Sequence, residues 1–272
     1  MKRKTRLHRT EWACLILLFS IGCLSPAWAS APVTNLNLDE SGWSLGLGFL
    51  SLSMPYKGAP KWSRFVPLFN VTTKDGFYLH GLTIGWNLWH PGRGWAVDLV
   101  AEPEFLHYDG YASPQFYGLS PRLASAMGGV DLVYRQPDFG VRTTVLTDLL
   151  ARNHGQKIRA TLFTRLTGHL PALPAIRFFV VPKAGIEWES GNLISYYFGI
   201  PRSEASARNP YYAPGSTVNE LVGIAGGLEL GSHWTLVDAI EYEWYGPAIR
   251  HSPLVDQSAG FNELVGLYFR FR

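Results

Sequence analysis

The sequence predicts an all-β fold: a transmembrane antiparallel up-and-down β-barrel of twelve strands, with ten as the alternative. Long extracellular loops and short periplasmic turns join them. Three observations predict it. The first is alternation. In "HWTLVDAIEYEWYG" (233–246), Trp234, Leu236, Ile240, Tyr242 and Trp244 share one face, broken by Asp238, while Thr235, Val237, Glu241 and Glu243 share the other. That is the period of a strand, not of a helix. The second is length: such runs extend over about 11 to 14 residues, beyond the five or six of most globular strands. The third is aromatic spacing. At roughly 3.3 Å per residue and a tilt near 45°, Trp234 and Trp244 stand about 23 Å apart along the normal, the height of a lipid-facing band between aromatic girdles.

Eleven runs carry the pattern, near 43–54, 62–72, 76–87, 94–106, 124–136, 139–150, 156–168, 174–188, 217–230, 233–245 and 260–271. The last sets Phe261, Val265, Leu267, Phe269 and Phe271 on one side, as a closing barrel strand would. Single-chain bacterial barrels have even strand numbers. Either residues 33–40 supply a twelfth strand or one early run is not a strand. Counting back from the C-terminus, 231–233, 167–174 and 136–140 are short periplasmic turns. The outside loops are then 246–259, 189–216, 151–155 and 107–123.

The N-terminus reads as an export signal. Lys2, Arg3, Lys4, Arg6 and Arg9 precede an apolar stretch from Ala13 to Leu24, and Ala27-Trp28-Ala29 is a small-x-small cleavage site. Twelve apolar residues are too few to span a bilayer. The expected organisation is a signal peptide over 1–29 and one barrel over 30–272, exported to the outer membrane, where lipid and lipopolysaccharide surround it. Residues 1–29 hold five of the 24 Lys+Arg and one of the 21 Asp+Glu, leaving 19 cationic against 20 anionic residues. The basic balance belongs to the export signal, so nothing points to nucleic acid. Cys14 and Cys23 leave with it, so disulfides are not available to the exported chain.

The polar residues offer weak signals for catalysis. Asp148 and His154 with Ser195 or Ser203 fall at the extracellular end, where a barrel hydrolase would place a triad. No G-x-S-x-G motif accompanies them, and a loop-ordering histidine accounts better for His154. The other histidines show no close pairs at metal-ligand spacing, and glycine-rich pieces such as "GIAGGLELG" lack the lysine and following helix of a phosphate loop. No catalytic residue, metal or cofactor is assigned. Alternation places Asp98, Glu102, Glu104, Asp131, Glu241 and Glu243 in the lumen with Arg135, Lys157, Arg159, Arg165, Arg177 and Lys183. Both signs in similar number predict a lumen filled by cross-barrel ion pairs, with a narrow small-solute channel as the alternative.

"ISYYFGIPRSEASARNPYYAPGS" (194–216) holds five aromatics, three prolines and two glycines, with neither a helical nor a strand period. It reads as an extracellular loop packed over the barrel mouth, or as a ligand contact through Tyr196, Tyr197, Phe198, Tyr211 and Tyr212.

"SYYFGI" followed by Glu204-Ala205 and then "YYAPGSTVNE" resembles the MltA-interacting protein / OmpV family of outer-membrane proteins. "SPLV" (252–255), "PYKGAPKWSRFVPLFNV" (55–71) and "TDLLARNHGQ" (147–156) are similar to further elements of that family, in the expected order. The resemblance implies an outer-membrane barrel that is not an enzyme. It implies an envelope scaffold linking a lytic transglycosylase to a penicillin-binding protein; a permeability determinant and a surface adhesin are the alternatives.

Overall fold

The structure, a computed structural model, describes residues 43–109 and 113–271. The expected signal peptide over 1–29 and the 33–40 segment lie outside them. Thirteen strands form one antiparallel sheet: β1 (Trp43–Leu52), β2 (Trp62–Thr72), β3 (Phe77–Gly81), β4 (Thr83–Gly92), β5 (Trp95–Glu104), β6 (Ser125–Arg135), β7 (Gly140–Asp148), β8 (Gln156–Phe163), β9 (Leu166–Leu170), β10 (Leu173–Glu189), β11 (Thr217–Leu230), β12 (Trp234–Trp244) and β13 (Ala259–Phe271). The ring closes where β13 pairs with β1 and β10 with β11. β8 and β9 are one interrupted wall element. Phe163 faces Lys183 and Leu166 faces Val180, the same register on β10. The break at Thr164 lies opposite Pro182, which has no N–H to give to a ladder. The barrel therefore has twelve strands.

The twelfth strand is found among the described residues. The run expected over 76–87 is two strands, because the chain reverses at Gly81-Leu82 and brings His80 opposite Thr83. Gly81 has φ +61°, the conformation a tight hairpin demands at its first central residue. The next reversal has the same cause: Arg93 and Gly94 both have positive φ between Gly92 and Trp95. The periplasmic turn expected over 167–174 is also shorter, since pairing continues to Leu170 opposite Leu173.

The short β3–β4 hairpin leaves a notch in the outer half of the wall. β2 meets β3 only from Phe69 to Thr72. Among the described residues, Trp62 to Leu68 have no strand partner on that side. Pro67 and Pro103 sit on the two strands beside the notch, as prolines do where no ladder is made. The Trp62 ring lies 5.3 Å from Phe105 across it.

Side-chain direction follows the alternation. Trp43, Trp95, Trp234 and Phe271 are exposed at the periplasmic end and Trp244, Phe49 and Phe65 nearer the outer end, so two girdles flank an apolar band. Inward residues are buried, and the polar ones concentrate there.

Candidate functional site

The lumen has three levels. The outermost is a plug made by loops folding inward. The stretch 194–216, expected to lack a helical period, begins inside a two-turn helix, α1 (Gly191–Phe198). Its buried side chains are Leu193, Ile194, Tyr197 and Phe198. That is the i, i+1, i+4, i+5 spacing of one helix face, and a reading that begins at Ile194 cuts off its first member. Phe198 meets Tyr56 at 5.7 Å, Tyr56 meets Tyr108 at 5.1 Å, and Tyr108 stacks on Phe116 at 4.6 Å. Rings from separate loops thus form one core. Ser252 Oγ donates to the Phe198 carbonyl at 2.7 Å and Lys57 Nζ to the Pro253 carbonyl at 2.7 Å. Arg122 ties two loops together: its Nε donates to the Tyr196 carbonyl at 2.8 Å and Nη2 pairs with Glu204 at 3.2 Å.

Of the aromatics singled out by sequence, Tyr197 and Phe198 are fully buried in this plug. Tyr196 is half-buried, and its hydroxyl accepts from Leu123 N–H at 3.0 Å. Tyr212 donates to the Ala248 carbonyl at 2.9 Å. Tyr211 stays exposed beneath the Arg202 guanidinium, 4.3 Å from its ring centre. Burial holds the Tyr56 hydroxyl well above the usual tyrosine range and pushes Tyr108 up to about 12.

The residues that a triad would require are joined by loop-building contacts. The Asp148 carboxylate accepts from Ser125 Oγ at 2.5 Å and from the backbone N–H groups of Leu150, Asn153 and His154 at 3.1, 2.7 and 2.9 Å. His154 meets it through its backbone, at φ +50°. Ser195 Oγ donates to the Pro214 carbonyl at 3.2 Å, and Ser203 lies in an exposed turn. It is Asp148 that orders this loop.

Below the plug is an ionic layer. Lys157 Nζ lies 2.6 Å from Glu104, 3.4 Å from Glu187 and 3.1 Å from Glu189. Arg159 pairs with Glu187, and Lys183 Nζ with Glu241 at 2.5 Å. Asn219 donates to Glu189 at 3.1 Å and to Glu243 at 2.7 Å. Neighbouring strands supply the partners at matched heights: Glu187 is opposite Arg159 and Asn219 opposite Glu187 in the sheet register. Glu189 and Arg142 are two lumen charges that the sequence reading missed, although both obey the same alternation. The run expected to end at 188 stopped one residue short of Glu189.

The third level is a cavity of about 430 Å³ that reaches from the ionic layer, at Arg159 and Lys183, to the periplasmic turn at 136–139. Arg135, Arg142, Arg159, Arg165 and Lys183 line it against Glu102 and Asp131, with Phe139, Phe163 and Phe179 among its apolar walls. Arg142 Nε lies 3.1 Å from Asp131. Asp98 is held nearby by the Tyr78 hydroxyl at 3.2 Å and His90 Nε2 at 2.8 Å. Arg177 pairs with Glu229 at 2.5 Å at the periplasmic exit. The two signs are therefore not evenly mixed. Five cations line the cavity against two carboxylates, and Arg159 and Lys183 are shared with the carboxylate-rich ionic layer above it.

Comparison with known proteins places this architecture. The family described as MltA-interacting protein MipA matches residues 45–271. The putative outer membrane protein YiaT of Escherichia coli K12 is 26% identical over 265 residues, covering 94% of this chain and 98% of that one. The MltA-interacting protein of the same organism is 25% identical, covering 85% and 91%. Outer membrane protein OmpV of Vibrio cholerae is 28% identical over 151 residues, 56% of each chain. The segments on which the sequence resemblance rests, "PYKG", "TDLLARNHGQ", "SYYFGI" and "SPLV", lie far apart in sequence yet meet in the plug and its rim. With the family match reaching all thirteen strands, this chain is a member of the MltA-interacting protein family of outer-membrane β-barrels.

Proposed function

We propose that this barrel is a non-enzymatic docking platform of the cell envelope that presents its periplasmic face to a murein transglycosylase. The observation that carries the reading is the asymmetry of the lumen. Loops fill the outer half with a packed aromatic core, whereas the open concavity and the short turns face the periplasm, where a murein enzyme works. A relative named for interaction with MltA supports the same partner class, and a penicillin-binding protein would be the second member of such an assembly. The apolar outer wall is the contact with membrane lipid, lipopolysaccharide in the outer leaflet. The filled outer half weighs against a small-solute channel, and the loops' use of their own aromatics on one another weighs against an adhesin.

The test is site-specific photocross-linking in living cells. Probes at Asp138 and Ser232, in periplasmic turns, are expected to capture a murein transglycosylase identified by mass spectrometry, while a probe at Arg202 on the outer side captures none. Capture from Arg202 alone, or no transglycosylase from either turn, rejects the platform.

A further inference from the structure

We propose that the notch between β2 and β5 is a binding site for lipid A, with one acyl chain in the wall and a phosphate on its upper rim. It needs the outer-membrane location but no murein partner. The tip of the β3–β4 hairpin, Gly81-Leu82, is the floor of the notch. Above it, β2 has no β3 partner from Trp62 to Leu68, and β5 has no β4 partner from Glu102 to Glu104. Two strands separate β2 from β5 at the floor, so the gap is about three strand spacings, roughly 14 Å. The Trp62 and Phe105 rings, 5.3 Å apart, close it at the top. Val66, Leu82 and Phe105 are half-buried there and pack against the lumen cluster of Leu50, Leu68 and Phe179. An open strand edge is excluded from hydrocarbon unless something covers it. Pro67 and Pro103 each remove an N–H from these two strands, which suits an occupant that accepts no hydrogen bond. An acyl chain is such an occupant, and leaving the gap empty would forfeit its dispersion contacts.

The charge on the rim identifies the head group. Arg64 has the side-chain parity of the buried Leu68, yet it is exposed, because the wall beside it is open. Its guanidinium lies 5.6 Å over the Trp62 ring centre, and Nη1 donates to the Ser63 carbonyl at 2.9 Å. Lys61, also exposed, stands three residues before it. Among the described residues neither meets a carboxylate. On the facing strand, Glu104 turns into the lumen and pairs with Lys157 at 2.6 Å, and Glu102 lines the lumen cavity. Glu263, in register with Ser51 and through it with Ser63, is two strands away. His107 stands on the opposite rim, its ring 6.5 Å from that of Trp62. Phe65, 72% exposed in the outer girdle beside Arg64, sets the guanidinium at the level where head groups begin. Two cations above an apolar gap match a phosphate above an acyl chain. The phosphates of lipid A are monoesters carrying close to two negative charges, whereas a phospholipid diester carries one, so the pair favours lipid A.

The experiment titrates the full barrel, stripped of lipid in detergent, with diphosphoryl lipid A and reads the complexes by native mass spectrometry. One tightly held lipid A per barrel is expected. Phosphate-free lipid A and phosphatidylglycerol should each bind about tenfold more weakly or worse, the effect of losing one charge-assisted contact. The double variant Lys61→Gln, Arg64→Gln should erase the preference for the phosphorylated form. Leu82→Trp, which fills the floor of the notch, should weaken both forms of lipid A alike. Folding of each variant is checked by the heat-dependent gel shift of barrels. Four results would overturn the proposal: no lipid A retained by the wild-type barrel, equal retention of phosphatidylglycerol, a second barrel in place of lipid, or an unchanged preference in the folded double variant. The first three need no variant. None of the four bears on transglycosylase capture from the periplasmic turns.

Discussion

Lys157 faces three carboxylates, Glu104, Glu187 and Glu189, and is almost fully buried with them. Such a group persists because each member offsets the desolvation of the others, and removing one leaves the rest uncompensated. Lys157→Met is expected to destabilise the barrel by about 3–5 kcal/mol, read as a lower urea midpoint for unfolding from lipid vesicles. A midpoint equal to wild type would mean that the layer contributes no net stability. Lys157 and its partner Glu104 were both legible from alternation. The pairing was not, because period two gives the face of a residue but not its height on the neighbouring strand.

The outer plug is the element where sequence patterning was least informative. Tyr56, Tyr108 with Phe116, and Phe198 come from three loops separated by tens of residues, and only the last carries a helical spacing, at 193–198. What holds them is mutual burial, which has a consequence in alkali. Burial raises the Tyr56 and Tyr108 hydroxyls above the ordinary value, Tyr108 to about 12. An unfolded tyrosine titrates near 10, so the folded plug holds these protons more tightly than the open chain does. Its stability should be intact below about pH 10 and fall as the pH rises from there towards 12. Difference spectra between wild type and Tyr108→Phe should show no tyrosinate signal with a midpoint near 10; such a signal would place Tyr108 in water. The β3–β4 hairpin is the other element misread from sequence. Gly81 shares its alternating run with Gly76 and Gly85 and interrupts no pattern, and only its positive φ reveals the turn.

For the whole molecule, a filled outer half and an ionic layer across the middle leave no continuous aqueous path of porin width among the described residues. Planar-bilayer recordings of the purified barrel are expected to show no stable open state of porin size, and stepwise currents of that size would contradict the arrangement described. Twelve strands also make a narrower cylinder than the 16 to 18 of porins. The even count rests on two local events, the reversal at Gly81 and the continuity of β8 with β9 across Thr164.

The sequence by itself determined the barrel, its two faces and its girdles, and it indicated which charges turn inward. All of these follow from a period of two and from the demand that a strand in lipid show apolar side chains outward. The tertiary structure alone decided the strand count, the closing of the outer mouth and the separation of charge along the axis. These depend on register between neighbouring strands and on contacts between loops distant in sequence, and a one-dimensional pattern carries neither.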